Sequence, residues 1–132
     1  VVEFFYKDDA RHDPLVTDDE IVAMGVASRE EIDAMRETGR RVFQVLERAW
    51  AAQDVTLVDC KIEYGRAVGD GALLVADVID NDSWRLWPGG DPDRMLDKQI
   101  YRNMPQVTDE RLAELYRKYA QVAEMTDEFI ED

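Results

Sequence analysis

Ser28 and Glu31 stand three residues apart, just ahead of an apolar series with helical spacing: Ile32, Met35, Val42, Phe43, Leu46, Ala49 and Trp50. Intervals of three, four and seven put these side chains on one stripe. The Ser-x-x-Glu pair has the form of a capping box and sets where the helix starts. A stripe this long, ending on a tryptophan, must be covered by a second layer. Most of what the chain can fold into follows from that need.

Two β-prone segments downstream are candidates for the layer. Residues 55 to 64 and 72 to 79 read as strands, and the glycine-rich VGDGA between them suits a hairpin turn. The first residues, VVEFFYK, read as a further strand ending near Lys7, followed by the polar loop DDARHDPL. Thr17 and Glu20 repeat the capping-box spacing and predict a short helix over residues 18 to 25. Residues 80 to 94 read as a loop anchored by Trp84 and Trp87. Thr108 is the candidate N-cap of a last helix, with a stripe of Leu112, Leu115, Tyr116, Tyr119, Val122, Ala123, Thr126, Phe129 and Ile130. Gly39 lies on the first stripe and reads as a close-packing position. The order predicts an α+β fold: an antiparallel sheet with long amphipathic helices packed on one face, residues 1–132 forming one domain.

Charge narrows the partners. The 132 residues carry 30 acids against 16 bases, a formal −14. Such a surface repels nucleic acid and anionic membranes, so neither is an expected partner. A small anion can bind only where a few cations converge. No apolar run approaches the ~20 residues that span a bilayer. Cys60 stands alone and reads as a small buried hydrophobe. No cleavable leader is visible, and the cytoplasm is the default location.

The stretch LVDCKIEYG, residues 57 to 65, places Asp59, Lys61 and Glu63 at alternate positions. In a regular strand they share one face with Leu57, while Val58, Cys60, Ile62 and Tyr64 share the other. With a three-residue turn, Gly69-Asp70-Gly71, position 63 faces 77 and position 61 faces 79. Glu63 and Asp77 then stand side by side, and two adjacent carboxylates call for a proton or a cation between them. Hard oxygen donors of this kind suit magnesium carried on nucleotide phosphates. A turn of different length shifts the register and separates the acids. The competing reading is a solvated sheet face on which Lys61 bridges Asp59 and Glu63.

A second constellation spans DNDSWRLWPGGDPDRMLDKQIYR, residues 80 to 102. Arg85 lies between Trp84 and Trp87, whose rings could steady its guanidinium plane. Lys98 and Arg102 are one helical turn apart and could converge on one anion. The plainer alternative is a tryptophan-anchored loop with surface ion pairs.

These two constellations resemble the SAICAR synthetase family of purine biosynthesis. The resemblance is carried by LVDCKIEYG, by ADVIDNDSWRLWP at 76 to 88 and DKQIYR at 97 to 102, and by VEFFYKDD and HDP near the start. Residues 76 to 102 are similar to the form in bifunctional animal enzymes. Tyr64 replaces the usual Phe, and Val78 stands where many bacterial members have Glu. The resemblance implies an ATP-grasp-like fold and an ATP-dependent ligase joining L-aspartate to carboxyaminoimidazole ribonucleotide through an acyl phosphate. It implies magnesium held by Glu63 and Asp77, nucleotide phosphates near Lys7, and catalysis by Lys61, Glu63 and Asp77. It implies substrate contacts at Asp59, Lys61, Asp82, Arg85, Lys98 and Arg102, with Asp82 on the substrate's amino group. The family's glycine-rich nucleotide lid and its Gly-Ser signature are not in these residues. The chain therefore reads as the C-terminal portion, inactive or slow alone, with a missing segment, a partner chain or a second copy expected to associate. A non-catalytic anion-binding or assembly module is the alternative.

Overall fold

Both capping boxes form. Thr17 Oγ1 accepts from Glu20 N at 3.3 Å while the Glu20 carboxylate accepts from Thr17 N at 2.7 Å. Ser28 and Glu31 do the same at 3.2 and 2.8 Å. Each pair satisfies two backbone donors that a helix start leaves orphaned. In the computed structural model, which describes residues 1–129, these boxes open α1 (Asp18–Ala23) and α2 (Arg29–Ala51). Two further helices follow, the short α3 (Gln99–Arg102) and α4 (Asp109–Thr126), the latter capped by Thr108 as expected. Ile130, counted on the last stripe, lies outside the described residues.

Among the described residues six strands complete the α+β fold: β1 (Phe4–Phe5), β2 (Leu15–Val16), β3 (Val55–Cys60), β4 (Glu63–Arg66), β5 (Leu73–Ala76) and β6 (Trp84–Pro88). All pair antiparallel, but as three two-stranded ladders rather than one sheet: β1 with β2, β3 with β6, β4 with β5. The segment expected as one strand over 55 to 64 is therefore divided. Its first part pairs with β6 and its second with β5, and the junction at Lys61 is tied down by Lys61 N donating to Ser83 O at 2.7 Å.

β6 lies in what reads as a loop from sequence. Trp84 and Leu86 point into the core and Arg85 points out, the alternation of a strand. Its partner β3 carries an irregularity. Leu57 faces Leu86, but Asp59 faces Arg85 and Cys60 faces Trp84, so the register slips by one at Val58. This bulge corrects the expectation that Leu57 shares a face with Asp59. Leu57 is buried in the core, and Asp59 faces solvent.

The main core joins α2, the β3–β6 ladder and α4 through Trp50, Val55, Leu57, Trp84, Leu86, Leu96 and Val122. Trp50 meets Trp84 edge-on at 5.5 Å and Phe129 at 4.9 Å between ring centroids, a geometry that aromatic quadrupoles favour. A smaller cluster of Ile21, Ala27 and Ile32 seats Phe4 and Val16 of the first ladder. Gly39 has Tyr64 Oη at 3.8 Å from where a Cβ would stand, which is ordinary contact.

The β4–β5 turn sets the register that the sequence leaves open. Ala67 N donates to Ala72 O at 2.8 Å, which leaves four residues in the loop, not three. Gly69 and Gly71 take positive φ there, which glycine adopts without strain. Glu63 consequently pairs with Ala76. Asp77 is not its cross-strand partner.

Candidate functional site

The charged residues of LVDCKIEYG separate into two pairs. Asp59 takes the Arg85 guanidinium across the ladder, with Nε 3.0 and 2.9 Å from its two oxygens and Nη2 also on Oδ2. Asp59 in turn holds the Arg85 pKa above its ordinary value. Trp84 does not perform the steadying role expected from sequence. Trp84 is buried against Trp50, with its indole N–H on Asn81 Oδ1 at 2.9 Å.

Lys61 turns instead to Glu63, its Nζ 2.6 Å from Oε1. Lys7 arrives at the same oxygen from the end of β1, at 3.7 Å. Lys7 also stands 3.5 Å from Asp13 and 3.7 Å from Asp9. Asp13 first, then Glu63 and Asp9, push the Lys7 pKa up. Asp13 is itself anchored. Its Oδ1 accepts from Asp8 N at 2.8 Å, the main cause that lowers its pKa. His12 and Asp13 both adopt left-handed φ, 57° and 48°, a costly pair for non-glycine residues. Sequence reading passed over Asp13. It is visible only as the middle of the HDP triplet and as the residue before Pro14, where helical backbone is disfavoured.

Asp77 lies just beyond β5 at φ 64°, its Oδ1 accepting from Val78 N at 2.8 Å. Because the chain turns left-handed there, strand alternation does not set the direction of its side chain. The four-residue turn thus overturns the expected side-by-side placement of Glu63 and Asp77 as cross-strand partners. No three His, Cys, Asp or Glu side chains gather as a metal cage among the described residues. What Glu63 and Asp77 offer is hard carboxylate oxygen, which suits an ion that arrives with phosphate ligands of its own.

Asp82 sits on an ordered turn. Ser83 N donates to Asp80 O at 2.9 Å, and Asp82 N to Asp80 Oδ1 at 2.9 Å. Two side chains reach its carboxylate: Lys98 Nζ at 3.1 Å and Tyr119 Oη at 2.7 Å. The Tyr119 hydrogen bond is the first cause that lowers the Asp82 pKa, with Lys98 and Arg102 adding to it. Burial and then Asp82 raise that of Tyr119. Lys98 immediately precedes α3 and Arg102 ends it, so both flank one helical turn as expected. Arg102 makes no ion pair among the described residues. The Lys61–Ser83 backbone bond joins this corner to the Lys7–Glu63 cluster.

Asp97 orients the segment that carries Lys98 and Arg102. It is 1% exposed, and its carboxylate accepts from Leu86 N and Gln99 N, both at 2.9 Å. In the sequence it is visible only as the first residue of DKQIYR, with no role attached to it. Cys60 is half-buried against the core. Burial pushes its thiol up to about 11, which disfavours the reactive thiolate. A separate, mainly apolar hollow of about 680 Å³ lies between α2 and α4, lined by Val42, Val45, Leu46, Ile79 and Phe129, with Arg41 at its wall. No described helix is long and apolar enough to cross a membrane.

An α+β fold that holds Lys7, Lys61, Arg85 and Lys98 on carboxylates presents cations of the kind that engage anionic groups. The chain belongs to the SAICAR synthetase family, whose profile matches residues 1–119. It is 68% identical over 126 residues to a phosphoribosylaminoimidazole-succinocarboxamide synthase of Chloroflexus aggregans, covering 96% of this chain and 50% of that protein. A bifunctional phosphoribosylaminoimidazole carboxylase/succinocarboxamide synthetase of Drosophila melanogaster is 43% identical, over 97% of this chain and 31% of that protein. The likeness to the animal form is real, and the bacterial protein shares more. A SAICAR synthetase solved in complex with ADP superposes with a TM-score of 0.80 at 30% identity, over all of this chain and 53% of that one. The enzyme from Ehrlichia chaffeensis superposes at 0.82 with 27% identity, over all of this chain and 53% of that one. The chain spans about half the length of the Chloroflexus, Ehrlichia and ADP-bound enzymes.

Proposed function

We propose that the chain supplies acceptor-side and phosphate-side residues of a ligase that joins L-aspartate to carboxyaminoimidazole ribonucleotide at the expense of ATP. The 68% identity to the Chloroflexus synthase across nearly the whole chain carries this reading. In the reaction a carboxylate oxygen of the ribonucleotide attacks the γ-phosphorus, and ADP leaves. The aspartate amine then attacks the acyl carbon, the C–N bond forms, phosphate departs and the nitrogen gives up a proton. No covalent enzyme intermediate is needed, so the protein contributes position and charge.

Lys7 and Lys61 are the cations for the phosphoryl group. Glu63 holds both until phosphate competes for them. Magnesium bound with ATP screens the triphosphate, and Glu63 and Asp77 are the carboxylates that would hold it. Asp82 takes the amino group of the ribonucleotide. Arg102 and Lys98 face its negative charge, and the Asp59–Arg85 pair borders the same edge. The cytoplasm, where purine nucleotides are made, is the compartment that fits this activity.

Calorimetry of ATP binding to the chain, with and without magnesium, tests the reading. Magnesium should strengthen binding by tenfold or more, and Glu63→Gln or Asp77→Asn should remove that gain. Magnesium-independent binding left intact in both variants would instead favour a non-catalytic anion-binding module.

A further inference from the structure

The corner around Asp82 contains a residue without an assigned part. Asp82 has a side chain 49% exposed, yet both of its oxygens are held. Lys98 reaches Oδ2 from 16 positions along the chain, and the Tyr119 hydroxyl reaches Oδ1 from 37 positions away. An exposed aspartate on a turn ordinarily rotates freely. This one is held between the start of α3 and the middle of α4. An ionised carboxylate has about four acceptor sites. Two are used here, and two remain open to solvent.

We propose that Tyr119 is a positioning residue for Asp82: its hydroxyl fixes the carboxylate so that the free acceptor sites meet the amino group of an aminoimidazole ribonucleotide. The proposal rests on the ligase reading above and assigns within it what selects the amino group.

The tyrosine is built for this. Its ring is half-buried in a hollow of about 260 Å³, beside Leu112, Leu115 and Tyr116, which sets where the hydroxyl can go. A phenol donates without adding charge. Lysine alone would draw the carboxylate into a mobile ion pair, whereas the phenol adds a directed bond and leaves its negative charge for the ligand. The charged groups that face this corner are Lys98 and Arg102 from the α3 segment, Asp80 from the turn and Asp97 behind it.

Tyr119→Phe keeps the ring and removes one donor. The full chain is titrated with the carboxamide analogue of the ribonucleotide, and with the same compound bearing hydrogen in place of the amino group. The unmodified chain should prefer the amino compound about tenfold, in line with a hydrogen bond to a charged group. In Tyr119→Phe that preference should fall to about twofold or less. The carbon-13 signal of the Asp82 carboxyl should then titrate at higher pH, because a donor that favours the charged form is gone. Tyr116→Phe, on the exposed side of the same hollow, should change neither readout. An undiminished preference in Tyr119→Phe overturns the role. Equal weakening of both compounds also overturns it, since that is the behaviour of a packing residue. If the unmodified chain ignores the amino group while the Asp82 midpoint still moves in Tyr119→Phe, the ribonucleotide reading has failed and this role falls with it.

Discussion

Asp97 Oδ2 accepts a hydrogen bond from the backbone N–H of Leu86 at 2.9 Å, deep enough that Asp97 is 1% exposed and Leu86 0%. The bond fastens the strand that carries Arg85 to the segment that carries Lys98. With Gln99 N on the other oxygen, the carboxylate takes the place of an absent neighbouring strand.

Asp97→Ala leaves the Leu86 N–H without its partner, so it should cost about 2–3 kcal/mol. Urea denaturation of the two proteins measures it. Asp97→Asn keeps one acceptor oxygen and should cost less than the alanine variant. Equal midpoints for Asp97→Ala and the unmodified chain would mean that water replaces the carboxylate freely.

Glu31 closes the α2 capping box and also receives Arg66, with Nη1 at 2.6 Å and Nη2 at 2.8 Å. The Arg66 bond is the main reason its pKa drops from the ordinary 4.5 to about 2. A lowered folded pKa stabilises at pH above the unfolded value, and that stability is lost as pH falls through the folded one. The contribution should therefore be complete above about pH 4.5 and fade towards pH 2. Carbon-13 titration of Glu31 should show a midpoint near 2, and Arg66→Met should bring it back towards 4.5.

Trp50 is fully buried, and its indole nitrogen has no hydrogen-bond partner among the described residues. Trp50→Ala should cost about 3–5 kcal/mol from the cavity it opens between Trp84 and Phe129. Trp50→Phe should cost clearly less, because it fills most of the space and removes an unpaired donor. Thermal melts of the three proteins rank them. A phenylalanine variant as unstable as the alanine one would show that the indole is satisfied after all.

The Cys60 thiol, raised from 9.0 to about 11, should have about a hundredfold less thiolate at pH 8 than an ordinary cysteine. Ellman's reagent should react at least that much more slowly with the folded chain than with the chain in urea. A rate matching the unfolded chain would mark the thiol as exposed.

Some of this molecule is legible from local sequence. Thr17, Ser28 and Thr108 cap helices because a hydroxyl three residues ahead of a free N–H needs nothing distant. The stripe from Ile32 to Trp50 reads correctly for the same reason, since its period belongs to the helix itself. The charged residues of the candidate site were also visible as residues, from their types and from the motifs they occupy.

How those residues meet was decided elsewhere. A single extra residue in the turn after Ala67 moved Glu63 from Asp77 to Ala76. The slip at Val58 sent Leu57 inward and Asp59 outward, and the break after Cys60 gave one apparent strand two different partners. WRLWP became a strand only because β3 offered it a ladder. Tyr119 looked like one more core residue on a helical stripe until the fold brought Asp82 within 2.7 Å of it. Caps and periodicity act over three or four residues, within reach of the chain's own backbone. Register, bulges and ion-pair partners depend on hydrogen bonds between segments tens of residues apart, and only the packed structure chooses among those pairings.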